Sequence, residues 1–495
     1  MTDFKDLLKK TGEIGYIEHV NHYIVQVSGL PTVHLQELVA FETGETGQVI
    51  SLAENVLEVL VFSKRPLRVG TKVASTGKRL TVPVGEDYLG MAVDPFARPL
   101  EITLRLPQQK EEQVVDIYPS GIAGRSRIHR PFETGVRIVD MLVPLGHGQR
   151  ELVVGDRKTG KTQFVLQAML TQARLGTVVI YAAIGKKKLD IKRVEEFLSL
   201  NKIKDRSLIV ASSSEAPAAS IFITPYTAMT IAEYFRGKGA DVLLVLDDMT
   251  THARFYREIA LLGGRFPGRN SYPGDVFHTQ ARLLERAGNF KGKGDTEQAI
   301  TALVVAEATQ GDLSGYIQTN LMSMTDGHLF FDNDLRTRGH RPAVNTLLSV
   351  TRVGRQTQTS LARDISRELS TFFAYYQKMQ NFTHFGAELT DNVKRILSMG
   401  GKVDAFFQQP SLPTPLPLQL YLFSLLWKGS WQNLDTTAMT EEMEKISRKY
   451  AQEKILRQSI EDAAKTAVSF NQFLGILEER QLLPKTDTPK TGGAL

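Results

Sequence analysis

The sequence predicts a multidomain chain: an N-terminal small antiparallel β-barrel, a central α/β domain on a mostly parallel sheet, and a C-terminal α-helical domain. Three observations carry this reading. Residues 11–85 break into short apolar segments separated by turn residues. From about residue 77 to 355, near-continuous apolar runs alternate with amphipathic stretches, and beyond about 358 the strand signal disappears. At 495 residues the chain exceeds what a single core supports. The boundaries expected are 1–76 for the barrel, 77–358 for the α/β domain, 359–483 for the helical domain and 484–495 for a disordered tail.

In the first part, Tyr23, Val25 and Val27 alternate with Ile24 and Gln26, and Val56–Phe62 is a second apolar run. Gly29-Leu30-Pro31, Thr43-Gly44-Glu45 and Val69-Gly70 punctuate them. Many short strands at this spacing suit a small barrel or sandwich. In the second part the runs are Glu151–Val154, Thr177–Ala182, Leu208–Ala211, Val242–Leu246 and Ala302–Ala306. Between them, Thr162–Leu175 places Phe164, Val165, Ala168 and Met169 on one helical face. Runs buried on both faces and alternating with helices mean a parallel sheet wrapped by helices.

The third part shows helical spacing at Met443, Ile446 and Tyr450 in a charged background. Gln408–Pro417 is proline-rich and reads as a connection, and 484–495 has too few apolar residues to pack. The longest apolar stretch, Leu418–Trp427, is about half a membrane span and reads as a buried helix. Met1–Lys10 is polar and charged, unlike a secretory signal. Sixty Lys and Arg face 54 Asp and Glu, a net charge of +6, and the charges are interspersed rather than clustered, which speaks against a nucleic-acid patch. With no cysteine, disulfides and thiolate metal sites are excluded. The histidines, His19, His22, His252 and His278 among them, form no metal-ligand spacing.

The strongest local signal is GDRKTGKT: Gly155, Asp156, Arg157, Lys158, Thr159, Gly160, Lys161 and Thr162. It follows an apolar strand and opens a helix, the context in which this pattern binds phosphate. Its glycines let the backbone wrap the phosphates, and the helix N-terminus adds partial positive charge. Lys161 reaches the outer phosphates and the Thr162 hydroxyl is suited to magnesium. Downstream, the run Val242–Leu246 ends in Asp247-Asp248, where a carboxylate can hold the magnesium shell. Asp247 is the first choice, with Asp248 left as a cap of the next segment. The cofactor expected is Mg-ATP or Mg-ADP.

TGVRIVDMLVPLGHGQRELVVGDRKTGKT (134–162), PGRNSYPGDVFHTQARLLERAG (267–288) and SVTRVG (349–354) resemble the rotary ATPase alpha/beta chain family, and within it the F-type alpha subunits. The resemblance implies a RecA-like nucleotide domain in a ring of alternating alpha and beta subunits around a gamma central stalk. It implies a place peripheral on an energy-coupling membrane, facing the cytoplasm in a bacterium, an organellar one being equally open. Alpha subunits grip the peripheral stalk (delta and b) through an extension before the barrel. Here that stretch is short, which leaves the attachment open. By matching, Gly155–Thr162 line the chain's own nucleotide with Arg341 and Gln408 nearby, Glu307 lies in the outer magnesium shell, and Arg352 is an arginine finger for the beta-subunit site. Catalytic members carry a glutamate where this chain has Lys186, so its own site is expected to bind nucleotide without turning it over. A lysine run on the surface, 186–188, is the plain alternative for those residues. Departures include Lys158 for a glutamine, Arg336 for an aromatic residue near the adenine, and Gln409-Pro410 in the adenine loop, as in a divergent or paralogous member.

Two other functions stay in view. A homohexameric protein-export ATPase of the flagellar or type III secretion kind shares these motifs but needs the glutamate in every chain. An RNA-translocating ring also sets a small barrel before a phosphate-loop core. Its barrel would stack bases on exposed aromatics among basic residues, whereas Tyr16, Tyr23, Phe41 and Phe62 sit mostly in apolar runs.

Overall fold

The computed structural model describes residues 4–101, 107, 111–292, 294, 296–383, 390–408 and 413–483. The tail 484–495 and Gln409-Pro410 lie outside the described residues. The expected class holds: an antiparallel N-terminal barrel, a nucleotide-binding α/β domain with a mostly parallel sheet, and helices after it. The chain passes back and forth between two compact units. The first comprises Met1–Arg127, His147–Arg157 and Gln172–His328; the second comprises Ile128–Gly146, Lys158–Thr171 and Leu329–Leu495.

The first unit opens with six strands: β1 (Gly15–Asn21), β2 (Ile24–Ser28), β3 (Glu37–Phe41), β4 (Thr46–Leu52), β5 (Leu57–Val61) and β6 (Lys72–Arg79). They close in the order β1-β2-β5-β4-β3-β6. Alternation sends one face of each strand inward, so Ile17, Val25, Val27, Val39, Phe41, Val49, Val59 and Val73 form the barrel core. Glu37 is buried there too, but its carboxylate accepts from the Gly77 and His34 amides at 3.0 Å each and from the Ser75 hydroxyl. Side chains tie the barrel to the helix Met249–Leu262: Asn21 Nδ2 donates to the Leu262 carbonyl at 2.7 Å and the Tyr23 hydroxyl donates to Glu258 at 2.5 Å.

The sheet of this unit contains β7 (Ala92–Val93), β8 (Arg150–Gly155), β9 (Val178–Lys186), β10 (Ser207–Ser213), β11 (Val242–Asp247), β12 (Gly288–Lys291) and β13 (Glu297–Glu307). The order β7-β10-β9-β11-β13-β8 is parallel throughout, with β12 antiparallel on β13. The apolar runs of the sequence are its strands. Val242–Leu246 have at most 1% of their surface exposed, and burying each such aliphatic side chain contributes about 1.5–3 kcal/mol. The PGRNSYPGDVFHTQARLLERAG motif carries Arg286 near its end, itself 1% exposed. Its guanidinium donates to both Glu233 oxygens (3.2 and 2.7 Å), to the Val115 carbonyl at 2.8 Å and to Thr230 at 2.8 Å. A buried charge persists only when satisfied in this way.

In the second unit the long helices are Ser360–Thr383, Asp391–Phe406, Leu416–Trp427, Thr436–Gln452, Lys454–Thr466 and Phe470–Glu479. Leu418–Leu426 are all buried, so the longest apolar run is a core helix. Among the described residues no helix is long and apolar enough to cross a membrane. Asp140 fastens this core: its carboxylate accepts from the Thr134 amide (2.8 Å) and hydroxyl (2.6 Å), the Gly135 amide (3.0 Å) and Gln419 Nε2 (2.8 Å). Arg137, buried beside it in sequence, donates to the Phe406 carbonyl at 2.8 Å, and its burial lowers the guanidinium to about 10.

Glu133 accepts from the Leu416 amide at 3.1 Å, the N-terminus of the buried helix. Burial and the nearby Asp140 carboxylate nevertheless push it up to about 7 from its ordinary 4.5. Folded, the carboxyl keeps its proton to about pH 7; unfolded, it releases it near 4.5. Between those values the unfolded chain binds fewer protons, so this group makes stability fall as pH rises, and above about 7 the loss is complete. Glu133→Gln, which cannot ionise, should therefore show a shallower fall in melting temperature over that window. Its advantage at the alkaline end should be on the order of 1–3 kcal/mol. Equal slopes in a pH series of thermal melts would show that Glu133 is not held protonated.

Candidate nucleotide site

Four neighbouring strands of the first unit end at one edge of the sheet. Lys186 closes β9, Asp247 closes β11, Glu307 closes β13 and Gly155 closes β8. The register sets Ala183 opposite Asp247, Asp247 opposite Val305 and Gly155 opposite Glu307. Ligands of open parallel sheets bind outside this carboxyl edge.

Asp247 and Asp248 are 3% and 4% exposed. Lys186 Nζ lies 2.5 Å from Asp247 Oδ1 and 3.6 Å from Asp248 Oδ2. The other Asp247 oxygen accepts from the Tyr181 hydroxyl at 2.7 Å. Asp248 also caps the helix Met249–Leu262, accepting from the Thr251 amide at 2.5 Å. Burial alone would pull the Lys186 ammonium down, but the Asp247 and Asp248 carboxylates outweigh it and hold it above its ordinary value. Burial pushes the Asp248 carboxyl up, with Lys186 opposing, and burial together with Asp247 pushes the Tyr181 phenol up. Removing one partner of a buried ion pair of this kind costs about 3–5 kcal/mol. The three lysines at 186–188 are thus not one solvated face: Lys186 turns inward, Lys187 is exposed, and Lys188 pairs with Glu215 at 2.8 Å on the surface.

The phosphate-loop residues follow β8. The Asp156 carboxylate accepts from the Gly311 amide at 3.0 Å. Arg157 grips Glu307 with both ends of its fork, at 2.9 and 3.1 Å. That pair is largely open on the arginine side, so it orders the loop's start more than it stabilises the fold. The Glu307 amide donates to the Thr250 hydroxyl at 3.0 Å, and Gln318 donates to the Glu307 carbonyl. In the second unit the loop continues through Lys158 at φ +64° and Gly160 at φ +108°, a backbone region that favours glycine. Lys161 and Thr162 open the helix Lys161–Arg174; Thr159 and Lys161 are buried and the Thr162 side chain is exposed. Phe164, Val165, Ala168 and Met169 are buried along one face of that helix.

Arg341 and Gln408, far apart in sequence, meet in the second unit: the Arg341 amide donates to Gln408 Oε1 at 3.0 Å. Both line a cavity of about 200 Å³ with Leu335, Phe373, Tyr376 and Phe407. Arg352 follows the short strand Val350–Thr351 and is exposed. Its segment is strapped down on either side. Thr351 Oγ1 donates to the Pro144 carbonyl and accepts from the Gly354 amide, both at 3.0 Å. A Cβ at Gly354 would stand 1.7 Å from the Pro144 oxygen, so only glycine permits this approach.

The magnesium expectation meets this geometry unevenly. The Thr162 hydroxyl, exposed on the first turn of its helix, suits a phosphate-bound ion. At Asp247 an ammonium already stands 2.5 Å from Oδ1, where the charge of such an ion would be matched, while Oδ2 accepts from a phenol. Glu307 is likewise taken by Arg157. The sequence reading missed Tyr181 and the Lys186–Asp247 pair. The signal was present in the length of the strands: a lysine ending one and an aspartate ending another meet whenever those strands are neighbours.

Comparison with known proteins agrees in length and domain order. Residues 135–351 match the nucleotide-binding domain of the ATP synthase alpha/beta family, and residues 358–475 match the C-terminal domain of the ATP synthase alpha/beta chain. The ATP synthase subunit alpha of Dictyoglomus turgidum is 38% identical over 433 residues, covering 86% of this chain and 84% of the relative. That of Dictyoglomus thermophilum is 38% identical over 405 residues, covering 82% and 79%. The chain therefore belongs to the ATP synthase alpha/beta family, and over most of its length it is similar to that family's alpha subunits.

Proposed function

We propose that the chain is the non-catalytic, nucleotide-binding and regulatory alpha subunit of a rotary F-type ATP synthase, an ion-transporting two-sector ATPase. In that complex, ion flow across the membrane is coupled to ATP synthesis or hydrolysis. The chain alternates with beta subunits around a gamma stalk, sits peripherally on an energy-coupling membrane, and lends Arg352 to the neighbouring beta site. Its own loop, Gly155–Thr162, holds ATP or ADP, with the cavity beside Arg341 and Gln408 suited to the base.

One observation carries the non-catalytic part. Hydrolysis needs a carboxylate to orient the attacking water, and the position that would supply it holds Lys186, whose ammonium is bound to Asp247. A homohexameric export ATPase would lack a base in every one of its sites. Arg352 suits the finger role because its backbone is fixed while its side chain is exposed.

The isolated chain should bind nucleotide and hydrolyse it negligibly. Sustained ATP turnover by the purified chain, abolished by Lys161→Ala, would overturn the non-catalytic reading and favour the export ATPase.

In a complex reconstituted with its beta partner, Arg352→Ala should nearly abolish multisite turnover. Fingers of this type contribute roughly 10³–10⁵ in rate, about 4–7 kcal/mol of barrier. Arg352→Lys should rescue little, since an ammonium lacks the planar fork. Nucleotide binding at the chain's own loop should survive both substitutions. Wild-type turnover with alanine at 352 would remove this arginine from the mechanism.

A further inference from the structure

The carboxyl edge of the sheet contains a cation that the family resemblance does not account for. At phosphate-loop sites a strand-end aspartate ordinarily holds the water shell of a divalent ion. Asp247 keeps lone pairs that could accept from such a shell, but the ion would then compete with the ammonium already paired to it. Oδ2 is held by the Tyr181 hydroxyl at 2.7 Å and Oδ1 by the Lys186 ammonium at 2.5 Å. Displacing Lys186 would strand an ammonium whose side chain is only 24% exposed, next to the divalent ion that displaced it. Two positive charges at that separation repel strongly in a partly dry site.

The ammonium also changes the charge that an incoming polyphosphate meets. Without it, Asp247 and Asp248 would present two adjacent buried carboxylates at the edge where Gly155 begins the loop. A divalent ion would then be needed to offset them. With Lys186 bridging the pair, one negative charge remains, and Arg157 at the start of the loop is matched by Glu307.

We propose that Lys186 is a built-in cation of the nucleotide site: its ammonium occupies the carboxylate contact a hydrated divalent ion would use, so the chain holds ATP and ADP without requiring that ion. This rests on the reading of Gly155–Thr162 as a nucleotide site. It makes position 186 a determinant of which form of the nucleotide, free or metal-bound, the subunit accepts.

The test is an equilibrium titration of the full-length chain with ATP, by calorimetry, in excess EDTA and again in excess magnesium. The dissociation constants should agree within about threefold, and Lys186→Gln should weaken binding in EDTA about tenfold or more while magnesium restores it. Lys186→Arg, which keeps the charge, should retain binding in EDTA. With Mn²⁺ as a spin probe, the nucleotide-loaded wild-type chain should hold the ion no more tightly than free ATP does. The proposal is overturned if wild-type binding drops about tenfold or more in EDTA. It is equally overturned if Lys186→Gln remains indifferent to magnesium. Should both variants fail to fold, the wild-type comparison decides alone. Absence of ATP binding by the wild-type chain in either buffer would instead overturn the nucleotide site itself, and this inference with it.

Discussion

A parallel sheet covered on both faces leaves little room for charge along its strands, and the first unit is organised around that constraint. β8, β9, β10, β11 and β13 are apolar along most of their length and buried. Polar groups that take part in chemistry are displaced to the strand ends, and because the strands run the same way, one edge collects them. Lys186, Asp247, Glu307 and Gly155 arrive together for this reason, although up to about 150 residues separate them in sequence. The edge is itself partly dry, so each charge there must find a counter-charge close by. The pairs Lys186–Asp247 and Arg157–Glu307 answer that demand.

The second unit meets the same demand by a different route. Its helices bury a continuous apolar core, and the polar groups inside serve as fasteners. Asp140 gathers four donors from two segments almost 280 residues apart. Close backbone packing does comparable work near Arg352, where Gly354 lies against the Pro144 carbonyl.

Much of this was legible from residues alone. Apolar runs of four to six residues marked the strands of the sheet, the GDRKTGKT loop marked where one strand passes into a helix, and Leu418–Trp427 read correctly as a buried helix. Side-chain partnerships were not legible, because they depend on strand order. Lys186 read as a missing glutamate or as part of a surface lysine run until β9 and β11 were known to be neighbours in register. The pairing of Arg157 with Glu307 was equally hidden until Glu307 was found opposite Gly155. The meeting of Arg341 with Gln408 depends on how the chain returns after the helix Asp391–Phe406, which local periodicity does not encode. The weaving of the chain between two units was also hidden, since each crossing falls inside a segment whose composition does not change.

The closed barrel has a consequence for how such chains stand beside one another. β6 pairs with both β1 and β3, so the ring of strands has no first or last member and no row of open amides and carbonyls. An open sheet of the same strands would offer two adhesive margins to any neighbour, including unfolded copies of itself. Closure confines recognition at this end of the chain to side chains, which can be varied one at a time. Similar domains set side by side can then be told apart without the hazard of fusing into a common sheet.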